Sequence, residues 1–412
     1  MENLIIRAKK FGRNCVGKWY RRSIPQKVAK IRVKEKISVL FVLSETAKWK
    51  TESLYLAMLE HDRFAPVLGI TLKTDDKPSE SARKLLQLID YLKEKKYEFH
   101  ELIRADYIKN NLKPDIIIYQ EPYANNILRE FNYLHNLYAL FISITYGFHN
   151  TLLPFNNMGT LKAFAWFDCY ENESTANDAI RYIRGKRKNI VVTGLPMSEV
   201  LLQRENKPSI WKNSGNKKKI IWAPHHSVGF DYETITYSTF LMYADYIKDL
   251  AITYQDVLQW AFKPHPLLKY KLTLLWGKDK TEKYYNFWET QEFTQLEEGE
   301  YIDLFQQSDA MLHDCDSFTI EYLYMNNPVM YLNNGKMHGD LNSFAQIAYK
   351  LHVQGNNKAD IKQFIEDVIN GKDDNKGERT KFFEESLKTL YGTSASQNII
   401  NVILGTHEKI KI

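Results

Sequence analysis

Short apolar runs recur along this chain with hardly a polar residue inside them. KISVLFVL (36–43), APVLGIT (65–71), PDIIIYQ (114–120), LYALFISITYG (137–147), KAFAWF (162–167) and NIVVTGLP (189–196) read as strands. Helical patterns lie between them, around 51–60, 79–95, 124–135 and 173–186. A strand that is apolar along its whole length is buried on both faces, as in a parallel sheet clad by helices. QRENKPSIWKNSGNKKK (203–219) then breaks the pattern with polar residues, Pro and Gly. The alternation restarts with KIIWAP (219–224), a helix over 237–251, DVLQWAFKPHP (256–266), AMLHD (310–314) and PVMYL (328–332). Helical patterns at 358–371, 376–391 and 394–404 follow. The expected fold is α/β: two Rossmann-like doubly wound domains, 36–202 and 219–412, facing across a cleft. Residues 203–218 link them and 1–35 form an arm.

The arm is basic. Residues 1–36 hold twelve Lys and Arg against two acids, a net +10, and the whole chain carries +6, so the remainder is mildly acidic at −4. That balance argues against a nucleic-acid-binding body. Leu4, Ala8, Phe11, Cys15 and Trp19 recur at helical spacing, flanked by Arg7, Lys10, Arg13 and Lys18. Such a helix suits an anionic membrane surface; the alternatives are a solvated arm or a helix docked on the body. No apolar run approaches the roughly 20 residues of a bilayer span, and no apolar signal core follows the basic start. Cys15, Cys169 and Cys315 form no CxxC pair, which fits a reducing cytoplasm.

In open parallel sheets, ligands sit at the carboxyl ends of strands, and four polar stretches follow strands here. ITYGFHN (144–150) carries His149 two residues after Gly147. WAPHHSVG (222–229) carries His225, His226 and Ser227 after a strand-stopping proline. FKPHP (262–266) sets Lys263 and His265 in a loop stiffened by two prolines, which suits an anion. HDCDSFTIE (313–321) gathers His313, Asp314, Asp316, Ser317 and Glu321. There Ser317 is expected to cap a helix whose amides face the cleft. An ordinary half-buried histidine and a plain helix cap are the competing readings. There is no dinucleotide fingerprint, P-loop or nucleophile elbow. The paired histidines have no third ligand at metal spacing, so no metal is expected.

The ordered set VVTGLP, IIWAPHHS, FKPHP and DLFQQSDAMLHDCDSFTIEYLYMNNPVMYL resembles the CDP-glycerol glycerophosphotransferases, the teichoic-acid primase and polymerase family of GT-B fold. The likeness covers roughly 137–335. It implies that His265 meets the donor's diphosphate, that Asp314 matches a family acid and Ser317 a family serine. It puts Glu321 near the ribose or polyol end. Asp316 stands where the family has serine, His225 and His226 where it has threonine and an aromatic residue. Tyr146-Gly147 replaces the family's His-Gly, so that either His149 substitutes as the base or the acceptor chemistry differs.

The resemblance implies transfer of a polyol phosphate, glycerol phosphate first, from a CDP-activated donor to a hydroxyl of a cell-envelope, teichoic-acid or capsule-like acceptor, with CMP leaving. His149 would take the acceptor proton, and His265, Lys263, Ser317 and helix amides would stabilise the diphosphate. The CDP donor is a substrate, and no separate cofactor is implied. The acceptor would be a lipid-linked or polymeric glycan, which places the protein in the cytoplasm, peripheral on the inner face of the bacterial membrane through residues 1–35. The rival readings are a GT-B glycosyltransferase using a CMP- or UDP-sugar in capsule or lipopolysaccharide synthesis, and an inactive GT-B binding protein.

Overall fold

The computed structural model describes residues 2–101, 108–121, 126–152, 160–185, 187–203, 208–212, 215–229, 236–336, 341–388 and 392–406, with backbone alone for 2–15. The chain forms two compact units, residues 1–200 with 389–412, and residues 201–388.

The first unit holds a seven-stranded sheet: β1 (Ile37–Leu43), β2 (Phe64–Ile70), β3 (Phe99–Glu101), β4 (Ile116–Tyr119), β5 (Leu140–Ser143), β6 (Phe167–Tyr170) and β7 (Ile190–Val192). Their order is β3-β2-β1-β4-β5-β6-β7, and every pairing is parallel. Val39 and Phe41 of β1 join one core with Ile116 and Ile118 of β4. Their alternate neighbours Leu40, Val42 and Ile117 join another with Tyr20 and Phe141. Successive side chains of a strand point to opposite faces, so two cores account for the unbroken apolar runs.

The second unit holds β8 (Lys218–Ala223), β9 (Leu258–Phe262), β10 (Thr294–Leu296), β11 (Ala310–His313), β12 (Val329–Leu332) and β13 (Val353–Gly355). These six are also all parallel, in the order β10-β9-β8-β11-β12-β13. The winding reverses between β8 and β11, the topological switch point at which such sheets bind ligands.

Several boundaries differ from the expectation. KAFAWF is not a strand: its start belongs to the helix Thr160–Phe164, and β6 begins only at Phe167. Around 124–135 the described residues form two 3-10 turns, Arg129–Phe131 and Tyr133–His135, not a helix. Part of the expected linker packs on the second unit: Trp211 is buried, and the Lys212 amide donates to Gln295 Oε1 at 2.8 Å. The last helix, Ala395–Leu404, belongs to the first unit rather than the second. Ile399, Ile400 and Ile403 enter the first unit's core, and Asn398 Nδ2 donates to Thr193 O at 3.1 Å.

The arm is a helix, Glu2–Arg32, and its later turns dock on the first unit. Tyr20 is fully buried, stacks on Phe141 with ring centroids 5.0 Å apart, and donates to Ala139 O at 2.9 Å. Lys27 reaches Leu137 O, and Arg21 reaches Ala163 O. Trp19, on the stripe read from the sequence, is 61% exposed. Leu4, Ala8, Phe11 and Cys15, the rest of that stripe, have side chains outside the described residues. No described helix is long and apolar enough to cross a membrane.

Candidate active site

At the switch point of the second sheet, β8 and β11 pair with Ala223 opposite His313. The loops that leave these two strands therefore start side by side. Asp314 clasps them. Its carboxylate is fully buried and accepts from the His225 amide at 2.6 Å. It also accepts from the Thr239 amide at 2.5 Å, Thr239 Oγ1 at 2.9 Å and Ser238 Oγ at 3.3 Å. Thr239 directly precedes the helix Phe240–Thr253. Burial pushes the Asp314 carboxyl up to about 6, against the pull of the donors around it. With its lone pairs spent on these donors, Asp314 shapes the loop that carries His225.

The loop after β9 lies alongside. The Lys263 amide donates to Trp222 O, and the His265 amide to Pro224 O. This brings the His265 ring to 4.2 Å from His226 and 5.2 Å from His225, and those two are 4.1 Å apart. One nitrogen from each ring lies within 4.8 Å of the others. The Ser227 hydroxyl lies 3.0 Å from His225 Nδ1, and the Lys271 ammonium 2.8 Å from His226 Nδ1. Burial holds the His225 imidazole well below its ordinary range, and repulsion from any charge on His226, His265 or Lys271 adds to the effect. His226 is pushed down to about 4, by burial first and Lys271 second. Two loops, read separately from the sequence, thus supply one histidine cluster, and Asp314 on a third shapes the first of them.

The other expected residues divide. Lys263 is buried and donates to Gly299 O at 2.9 Å, under the ring of Tyr301. Tyr301 in turn donates to Glu321 at 2.6 Å, so Lys263 and Glu321 are tied through one tyrosine. Tyr237 hydrogen-bonds Asp316 and sits 4.8 Å from the His225 ring. Burial raises the Asp316 carboxyl. His313 is not with this group: it is fully buried in β11, with Nδ1 at 3.0 Å from Cys315 O and its ring 5.2 Å from His352. Ser317 does not cap the following helix. Its backbone is already helical, at φ −55° and ψ −43°, whereas a cap needs extended geometry. That helix is a single turn, Phe318–Glu321. Ser317 is exposed, with its hydroxyl 3.5 Å from Asp316. Tyr237, Ser238, Thr239, Lys271 and Tyr301 escaped the sequence reading. None stands in a strand-end motif, and only the fold brings them in.

In the first unit, His149 is 4% exposed. Its Nδ1 lies 2.8 Å from Glu171 Oε2, its amide donates to Glu171 Oε1, and its ring stacks on Tyr170 at 4.1 Å. Its Nε2 lies 2.8 Å from the ammonium of Lys162, which is fully buried and 3.5 Å from Asp168. Arg187 pairs with Asp168 at 2.8 Å. Burial lowers the Lys162 ammonium, and Asp168 opposes the shift. Glu171 takes the Nδ1–H, so the Nε2 lone pair is held by an ammonium. In this arrangement His149 is a joint between chain segments, and a base role requires Lys162 to move.

The carboxyl ends of β1 and β4 hold a second polar group that the sequence reading passed over. Ser44 Oγ donates to Glu121 at 2.8 Å, and Lys48 bridges Glu121 and Glu45 at 3.0 and 2.9 Å. Burial opposes ionisation of Glu45, but Lys48, Lys84 and Lys73 outweigh it and hold the carboxyl down to about 2. Ser44, Gln120 and Glu121 line a small cavity with Tyr119 and Tyr133.

Residues 171–405, more than half of the chain, match the sequence pattern of the family described as CDP-Glycerol:Poly(glycerophosphate) glycerophosphotransferase. No curated protein matches the sequence. Among solved structures, a Listeria monocytogenes protein assigned as a UDP-N-acetylglucosamine 2-epimerase superposes with TM-score 0.61 at 14% identity, over 91% of this chain and 98% of that one. The S. aureus protein MnaA, solved with UDP, gives 0.57 at 14% identity over 89% and 96%. A wall teichoic acid polymerase, TagF, gives 0.55 at 15% identity over 97% and 98%. At these identities the likeness is one of fold: two Rossmann-like α/β domains of the GT-B kind.

Proposed function

Because the chain belongs to the CDP-glycerol:poly(glycerophosphate) glycerophosphotransferase family, we propose that it moves glycerol phosphate from CDP-glycerol to a hydroxyl of a teichoic-acid-like acceptor, releasing CMP. The observation that carries this reading is that the matched residues 171–405 include both loops of the histidine cluster and the Asp314 that shapes one of them. The acceptor hydroxyl attacks the β-phosphorus, the bond from that phosphorus to the bridging oxygen breaks, and CMP takes the electron pair. His265 and its neighbours His225 and His226 face the diphosphate, as preorganised donors that need no rearrangement as charge builds. Ser317 and Asp316 lie on the adjoining loop. Asp314 and Glu321 act through others, Asp314 by shaping the His225 loop and Glu321 by holding Tyr301. His313 is placed in the core.

His149 is proposed as the base for the acceptor proton on one condition, that the Lys162 ammonium leaves Nε2. Glu171 already fixes the tautomer this needs. The acceptor is a lipid-linked or polymeric glycan. The exposed Trp19, with Lys18 and Arg22 beside it, is the proposed contact with an anionic membrane surface.

Purified protein is incubated with CDP-glycerol, CMP-sialic acid or UDP-sugars and a teichoic-acid primer, and the released nucleotide is identified. CMP from CDP-glycerol alone is expected. His265→Ala lowers turnover by about a hundredfold, the scale of losing one donor to the developing charge. Release of UDP, or full turnover by His265→Ala, overturns the reading. His149→Ala abolishes transfer while Lys162→Met retains it; the reverse pattern removes His149 from the chemistry.

A further inference from the structure

Three histidines with ring nitrogens within 4.8 Å of one another have the spacing of a metal site. What stands against Nδ1 of each ring decides differently. A histidine that binds a metal through Nε2 keeps its proton on Nδ1 and donates it to a carboxylate, carbonyl or water. Here each Nδ1 has a donor against it. The Leu267 amide donates to His265 Nδ1 at 3.1 Å. The Ser227 amide donates to His225 Nδ1 at 3.3 Å. The Ser227 hydroxyl lies 3.0 Å from the same Nδ1 and accepts from the Ser238 amide. The Lys271 ammonium has no lone pair, and it faces His226 Nδ1 at 2.8 Å. The proton of each neutral ring therefore sits on Nε2. His313 and His352, elsewhere in the same unit, show the opposite wiring, with Nδ1 directed at the carbonyls of Cys315 and Ala348.

We propose that His225, His226 and His265 form a diphosphate receptor of three neutral imidazoles, each donating from Nε2, and that the same wiring rejects a metal ion. Neutral N–H donors match a phosphate oxygen's lone pairs and offer none to a cation. Within the family resemblance two of the three rings are this chain's own, standing where threonine and an aromatic residue are usual. The identity of the anion as a nucleotide's diphosphate rests on the function proposed above; the wiring does not.

Proton–nitrogen correlation spectra of the full chain, with the rings assigned by single His→Gln variants, test the proposal. All three rings are expected as neutral Nε2–H forms near neutral pH, shifting on addition of inorganic pyrophosphate. His226→Gln and His265→Gln each weaken pyrophosphate binding roughly tenfold, the worth of one hydrogen bond to a charged group. The spectra of the two remaining rings report whether each variant is folded. Lys271→Glu turns the donor on His226 into an acceptor, so it gains zinc binding while losing pyrophosphate. Protons on Nδ1, one equivalent of zinc bound by the wild-type rings, or pyrophosphate binding untouched by both glutamine variants overturns the proposal. If pyrophosphate binds through the three rings and CDP-glycerol does not compete with it, the receptor stands and the donor assignment falls.

Discussion

His226 resists a proton for two reasons that act in the same direction. It is half-buried, and a lysine stands at its Nδ1. Its folded value, about 4, lies below the ordinary 6.5, so the unfolded chain takes up that proton first as pH falls. The stability it contributes is complete above the ordinary value and is lost on acidification through about 4. Asp314, raised to about 6 from 3.8, has the opposite sign: its contribution is complete below the ordinary value and is lost as pH rises through about 6. His226→Gln removes the first effect and leaves the second. The variant is expected to lose less stability than wild type between about pH 7 and about pH 4.5. Denaturation midpoints at the two pH values check this. An unchanged difference would mean that His226 titrates normally. At this scale the histidines were legible, because strand ends in a parallel sheet collect ligands and His225, His226 and His265 stand there. Their tautomers were not. Those depend on Lys271, Leu267 and Ser238, which sequence spacing does not connect to a ring nitrogen.

The amino-terminal helix gives two neighbouring residues contrasting tasks. Tyr20 fills the space between Phe141 and Phe164, while Trp19 faces outward. Tyr20→Ala is expected to destabilise the first unit by about 3–5 kcal/mol, as for other large aromatic truncations in a core. Trp19→Ala is expected to change stability by no more than about 0.5 kcal/mol and to reduce co-sedimentation with anionic vesicles. Chemical denaturation and a vesicle assay separate the two tasks; a strongly destabilised Trp19→Ala would place that side chain inside. The sequence stripe led to Trp19 and away from Tyr20, because two interleaved apolar rows share one helix and only packing selects between them. The same limit made KAFAWF read as a strand, since a short apolar run fits a buried helix turn equally well. β3, β10 and β13 went unread because three residues carry no period.

Two sheets with the same inner order, each reversing between its first and fourth strand, organise the described residues. That repetition was legible from alternating runs of apolar residues. The ownership of the last helix was not, since its apolar face, Ile399, Ile400 and Ile403, fits any sheet that offers a gap. Here it closes the first unit, where Ser396 also meets Glu199 and Ser53. Deleting residues 389–412 is expected to leave hydrogen-exchange protection of β8, β9 and β11 intact while β1 and β7 exchange faster, because Thr193, Leu195 and Glu199 lose their cover. Loss of protection in the second unit instead would assign the helix there. A ribosome makes the chain in the other order. The second unit is whole once residue 388 has emerged, whereas the first stands with an open flank throughout the synthesis of the other. The half begun earliest is therefore finished last, and during translation its uncovered apolar flank is where a chaperone would be needed.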